Sequence, residues 1–102
     1  MVSYVVRAVV KHGHHSAFVE AFRAWREAAV AGGLPAYRLF ESDWGTYGEV
    51  FASAQFEDIG DIDRRISAAA ATRAYEAAHD AVLSHLVDGE MRDYALLEIA
   101  LE

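Results

Sequence analysis

Tyr75 and His79 are the residues of this chain best placed to do chemistry. They lie in TRAYEAAHDAVLSHL, residues 72–86, four apart, a spacing that puts both on one face of a helix. An imidazole near neutrality is a natural general base, and a phenol can donate a hydrogen bond to a developing enolate or phenolate. The same spacing also suits a histidine hydrogen-bonded at the edge of a core, so both readings stand. Arg7 is a lone charge in an apolar run, to be explained by a salt bridge at a sheet edge or by an anionic group of a ligand. Trp25 belongs to an apolar helical stripe and is large enough either to fill core or to line a pocket. His12, His14 and His15, in KHGHH, raise the question of a metal, because imidazole is a common zinc or copper ligand. No carboxylate or cysteine accompanies them at a standard ligand spacing, so they read as a solvated loop and no metal is expected. His85 falls six residues after His79, faces elsewhere and reads as solvated.

Composition narrows the classes. The chain has 102 residues, enough for one domain with one core, read here as 1–102. Apolar residues make up 54% and charged residues 25%, which is ordinary for a soluble globular protein. Sixteen acids against nine bases give a net charge of −7, and eight of the bases are scattered arginines. No basic stripe exists to neutralise phosphates, so nucleic acid is not an expected partner. Without cysteine, disulfides, thiolate metal sites and cysteine nucleophiles drop out. No apolar run approaches the roughly 18 residues a membrane helix needs. The N-terminal residues lack the features of a signal peptide, and the expected location is the cytoplasm. No Ser-His-Asp order, phosphate-binding glycine loop or paired-carboxylate motif appears.

The elements that must position these residues follow from periodicity. Residues 2–10 are β-branched and form a strand with Tyr4, Val6 and Ala8 on one face and Val5, Arg7 and Val9 on the other. Residues 16–31 form a helix in which Ser16 is the expected N-cap and Phe18, Phe22, Trp25 and Ala29 make a single stripe, stopped by Gly32-Gly33. Residues 35–42 and 48–57 form an antiparallel hairpin with Trp44 exposed at its tip, suited to an interface or a flap. Val50, Ala52, Ala54 and Phe56 give the third strand a face that lets helices approach closely. Residues 58–86 are helical, capped at Asp58 or Asp61, with Thr72 able to start a second piece and Gly89 ending the run. Residues 91–101 close as a fourth strand.

The order β-α-β-β-α-β is the ferredoxin-like arrangement, an α+β fold with a four-stranded antiparallel sheet and helices on one face. The other sheet face is then left half-apolar and uncovered, and a symmetric homodimer is expected to hide it.

Two stretches carry a family resemblance. VKHGHHSAFVEAF resembles the strand end, turn and helix start of dimeric α+β barrel proteins, and GEVFASAQFEDIGDIDRRI is similar to the third strand and helix of antibiotic-biosynthesis-monooxygenase-like and NIPSNAP-like members. The resemblance implies a homodimeric barrel with a pocket between sheet and helices in each subunit. It also implies chemistries that need no cofactor, namely monooxygenation or polyketide cyclisation of a small apolar or aromatic molecule. In the cyclase branch a histidine and tyrosines move protons, a role that would fall to His79 with Tyr75 or Tyr4, with Arg7, Tyr4 and Trp25 binding the substrate. YEAAH also resembles the proximal-histidine segment of the heme-degrading branch, which makes heme the one cofactor to weigh. That branch's strand asparagine and upstream tryptophan are absent, Val6-Arg7 and Ala69-Ala70 standing in their places. The remaining alternatives are a heme- or ligand-binding module and a non-catalytic dimer that meets a protein partner through Trp44.

Overall fold

The structure is a computed structural model and describes residues 1–101. Its elements run β1 (Val2–Val9), α1 (His15–Ala31), β2 (Arg38–Glu41), β3 (Glu49–Phe56), α2 (Ile59–Ala70), α3 (Arg73–Leu83) and β4 (Arg92–Leu97). The strands form one four-stranded antiparallel sheet in the order β2-β3-β1-β4. This is the expected ferredoxin-like α+β fold, with the second helical stretch divided in two.

The division at Thr72 follows from its side chain. The Thr72 hydroxyl donates to the Ala69 carbonyl at 2.7 Å and accepts from the Tyr75 amide at 3.3 Å, closing α2 and capping α3 at once. Asp58 caps α2 by accepting from the Asp61 amide at 2.7 Å. Asp61 is itself buried and accepts from the Glu57 amide at 3.1 Å, so this corner is a closed hydrogen-bond loop.

Alternation along the strands decides which side is core. Tyr4, Val6 and Ala8 of β1 pair with Ala54, Ala52 and Val50 of β3 on the helix side. Small residues there let α1 and α3 settle on the sheet, where Phe18, Phe22, Trp25 and Ala29 of α1 meet Tyr75 and Val82 of α3 within one buried cluster. Each large side chain so buried contributes about 1.5–3 kcal/mol. Phe56 is the most deeply placed of them, at 1% exposure, with Tyr4 and Tyr37 edge-on to its ring. Close approach fixes one glycine: a Cβ at Gly32, the C-cap of α1, would lie 3.0 Å from the Ala69 Cβ of α2.

Several boundaries differ from the sequence reading. Helix α1 begins at His15 with His14 as its N-cap, and no side chain caps it; Ser16 lies inside the helix. The tight turn through Gly13 (φ +81), closed by the His14 amide on the Lys11 carbonyl at 3.0 Å, starts the helix early. Helix α3 stops at Leu83, well before Gly89, because Leu86 leaves it to bridge Val10 of the strand end. Strand β2 starts only at Arg38, since Leu34 is still bonded to the end of α1 and Pro35 has no amide to donate. Strand β4 is Arg92–Leu97, shorter than residues 91–101.

Among the described residues, no helix covers the outer sheet face. Phe40, Phe51, Arg7 and Arg92 form one cross-strand row there, and Arg38, Ser53, Val5 and Tyr94 the next. Phe40, Tyr94 and Leu96 are exposed on it.

Candidate active site

The helix-side residues do not close completely. A cavity of about 360 Å³ remains between the sheet and α1 and α3, at the lower end of the size range of small-molecule sites. Its floor is Val6, Ala8, Val50 and Ala52, its far wall Phe18, Phe22 and Trp25, and its near wall Tyr75, His79 and Val82. Met91, Arg92 and Asp93, at the start of exposed β4, form its rim.

Tyr75 and His79 meet as their helical spacing requires, with ring centroids 5.7 Å apart and planes only 14° from parallel. Tyr75 is buried and His79 half-buried, so the imidazole stands between cavity and surface, where a proton acceptor can exchange with water. Trp25 packs edge-on against Tyr37 (5.0 Å, 85°) and across Tyr75 (5.8 Å). Trp25 thus serves both as core and as cavity wall. Its indole Nε1 is buried without a hydrogen-bond partner among the described residues. Such an orphan costs about 1–3 kcal/mol.

Tyr4 reaches the cavity from β1 and donates its hydroxyl to Asp93 Oδ2 at 2.8 Å. Burial and then this hydrogen bond hold its phenol protonated well above the usual tyrosine range. Burial, reinforced by the nearby Tyr4 and Tyr75 phenols, does the same for Tyr37. Tyr4 and Tyr37 are therefore neutral hydrogen-bond donors at any ordinary pH. Among the described residues, Arg92 and Asp93 are the only charged ones that line the cavity, and both are at the rim.

Arg7 is not brought to this place. Its position in the odd-numbered set puts it on the outer sheet face, where its guanidinium binds Glu49 at 2.6 Å, the Glu90 carbonyl at 2.9 Å and Thr46 at 3.3 Å. Of the two explanations open to it, the ion pair is the one the structure contains. Its role as substrate anchor is corrected accordingly, because strand alternation turns it away from the cavity. The histidine loop also differs from its reading. His14 and His85, both expected to be solvated, are half-buried and face each other with their Nδ1 atoms 3.0 Å apart, while His12 lies against Tyr47.

Tyr37 and Asp93 were missed in the sequence. Tyr37 alternates with Leu39, and both line the cavity, so the hairpin's period of two held that signal. Nothing local to Asp93 announces it, since its role comes from pairing Val6 across strands.

With this geometry in view, comparison with solved structures is informative. No protein-family model matches the chain, and no curated protein matches it. An uncharacterised NIPSNAP domain protein of Burkholderia xenovorans superposes with a TM-score of 0.82 at 15% identity, over 99% of this chain and 97% of that one. A NIPSNAP family protein of Agrobacterium tumefaciens matches at 0.81 and 15%, over 100% and 91%. An antibiotic biosynthesis monooxygenase matches at 0.72 and 15%, over 98% and 100%. The chain has the fold these proteins share. At such identities the NIPSNAP-like likeness speaks for architecture and leaves the chemistry to the cavity itself.

Proposed function

We propose that the cavity binds a neutral, planar aromatic or polyketide-like molecule and that His79 takes a proton from it, without a cofactor. The observation that carries this reading is the arrangement around one cavity of four aromatic side chains (Tyr4, Trp25, Tyr37, Tyr75) and one imidazole, with the lining charges among the described residues confined to the rim. Aromatic walls suit a flat ring, and the absence of interior charge disfavours a carboxylate or phosphate ligand. Removing a phenolic or α-carbon proton leaves an enolate or phenolate oxygen, which the Tyr75 hydroxyl stabilises by donating to it. That carbanion-like species is the common starting point for ring closure on a neighbouring carbonyl and for reaction with dioxygen. The monooxygenase among the structural neighbours is compatible with the second course.

Heme does not fit this reading. A cavity of about 360 Å³ is smaller than a porphyrin requires, and the Tyr75 ring already stacks on the imidazole that would face the iron.

The chain is further read as a homodimer, through the outer face that carries Phe40, Phe51, Val5, Tyr94 and Leu96. Arg7, bonded to Glu49 there, would be a structural element of that interface.

Hydroxynaphthalenes and anthrones are suitable probes, titrated into a Trp44→Phe variant so that Trp25 is the remaining fluorophore. A ligand that quenches Trp25 and is consumed by the wild type, but is bound and left unchanged by His79→Ala, bears the reading out. Turnover retained in His79→Ala removes the base assignment, and the absence of any quenching removes the pocket assignment.

A further inference from the structure

A second hollow lies beside the cavity. It is an open groove of about 390 Å³ between α2 and β4, walled by Ile59, Ile62 and Ile66 from the helix and by Ala95 from the strand. Tyr4, Ile66 and Asp93 belong to both linings, so the two spaces meet along those three side chains. We propose that cavity and groove are one elongated binding site, whose ligand is a planar aromatic head bearing an aliphatic tail. This rests on the aromatic reading of the cavity and adds a tail to its ligand.

The walls of the two spaces differ in kind. Trp25, Tyr37 and Tyr75 surround the cavity, and flat faces of that sort match a ring. The helix side of the groove is branched aliphatic, which matches a flexible chain through contact and exclusion of water alone. Ile59 is left 57% exposed there in the single chain, so a tail lying over it buries apolar surface that nothing else covers. Among the described residues, the charged ones lining the groove are Asp63 and Asp93, and both disfavour an anionic tail.

At the junction stands the Tyr4–Asp93 hydrogen bond, 2.8 Å long. Asp93 is exposed and belongs to the edge strand, so its carboxylate can turn to water and exchange one hydrogen bond for another. A ligand no longer than the cavity leaves this pair intact, whereas a tailed one displaces it. The pair therefore sets a threshold that a tail must repay by its own burial.

The test compares 2-naphthol with 6-hexyl-2-naphthol by equilibrium dialysis against the full chain, and reads the ratio of their affinities. A fully buried methylene is worth about fourfold. The groove is open on one side and the chain must be ordered, so six carbons should tighten binding by at least about tenfold. Ala95→Phe fills the groove from an exposed position outside the cavity lining and should bring the ratio below about twofold. Ile59→Gln, at the exposed start of α2, should lower it as well and serves if Ala95→Phe disturbs β4, which circular dichroism shows. Tyr4→Phe keeps the ring but removes the bond, and should raise the ratio by about twofold or more. If 2-naphthol is bound but the wild-type ratio is near one, or neither groove variant lowers it, or Tyr4→Phe does not raise it, the elongated site is overturned and the cavity reading stands. If 2-naphthol does not bind at all, both fall together.

Discussion

Two alanines of β3 offer a sharp test of the cavity. Ala52 and Ala54 share the inward face, two residues apart, opposite Val6 and Tyr4 of β1. Ala54 is 5% exposed and does not line the cavity, whereas Ala52 forms part of its floor. Replacing each by leucine adds three carbons in two different surroundings. At about 0.8 kcal/mol per buried methylene the ceiling on the gain is ~2.4 kcal/mol. Ala52→Leu has neighbours on one side and open volume on the other, so about half of that gain is realised and part is returned as side-chain entropy. The expected result runs from neutral to ~1 kcal/mol more stable. At Ala54 no volume waits, and overpacking should cost ~1–3 kcal/mol. Urea denaturation followed by tryptophan fluorescence measures both, and with a slope of ~2 kcal/mol per molar the two midpoints should separate by roughly 1 M. The same Ala52→Leu protein should lose affinity for any ligand that quenches Trp25. Equal destabilisation of the two variants would refute the reasoning, since it would mean that the space beside Ala52 is filled in solution.

Other outcomes follow from single features. Gly48→Ala places a Cβ 2.7 Å from the Val10 carbonyl oxygen at φ +80, so it should cost ~3 kcal/mol or more, while Gly13→Ala, at φ +81 with nothing within 4 Å, should cost only ~1–2 kcal/mol by chemical denaturation. Burial pushes the Tyr37 phenol above its ordinary value of about 10 in the folded chain, so both states keep its proton below about pH 10 and stability is flat there; above it the unfolded chain alone loses the proton, and stability should fall by ~1.4 kcal/mol per pH unit. Tyr4, partly exposed, adds a smaller effect of the same sign, and absorbance at high pH should show both phenols ionising with unfolding. Phe51→Lys puts a charge in the middle of the outer sheet face and should convert the proposed homodimer to a monomer by light scattering, with ligand quenching of Trp25 retained.

The sequence revealed most where local period and tertiary burial agree. Strand alternation, the Phe18–Ala29 stripe and the Thr72 cap each encode a local preference that packing then reinforces, and the four-residue step from Tyr75 to His79 brought those rings together as expected. It revealed least where a residue's role depends on a partner distant in the chain. Arg7 could be an anchor or an ion-pair member until the register placed Glu49 within reach on the outer face. Asp93 became a partner of Tyr4 only through the pairing of β4 with β1. His14 and His85 looked solvated because 71 positions separate them, and it is the bridge between Val10 and Leu86 that closes that distance. The early start of α1 and the early end of α3 have the same origin, since both helix ends yield to that junction.

All six residues of β4 are exposed, although this edge strand supplies the rim of the cavity. Within a single chain β4 is held by its ladder to β1 and by the Tyr4–Asp93 hydrogen bond, so until a partner covers Tyr94 and Leu96 it belongs to the part of the chain that opens at least cost. The doorway of the cavity is therefore its least protected wall. Amide hydrogen exchange along Arg92–Leu97 should be faster than along β3, and a molecule lodged against Asp93 would slow it. Local unfolding of one edge strand and admission of a ligand would then be a single equilibrium, observed from two sides.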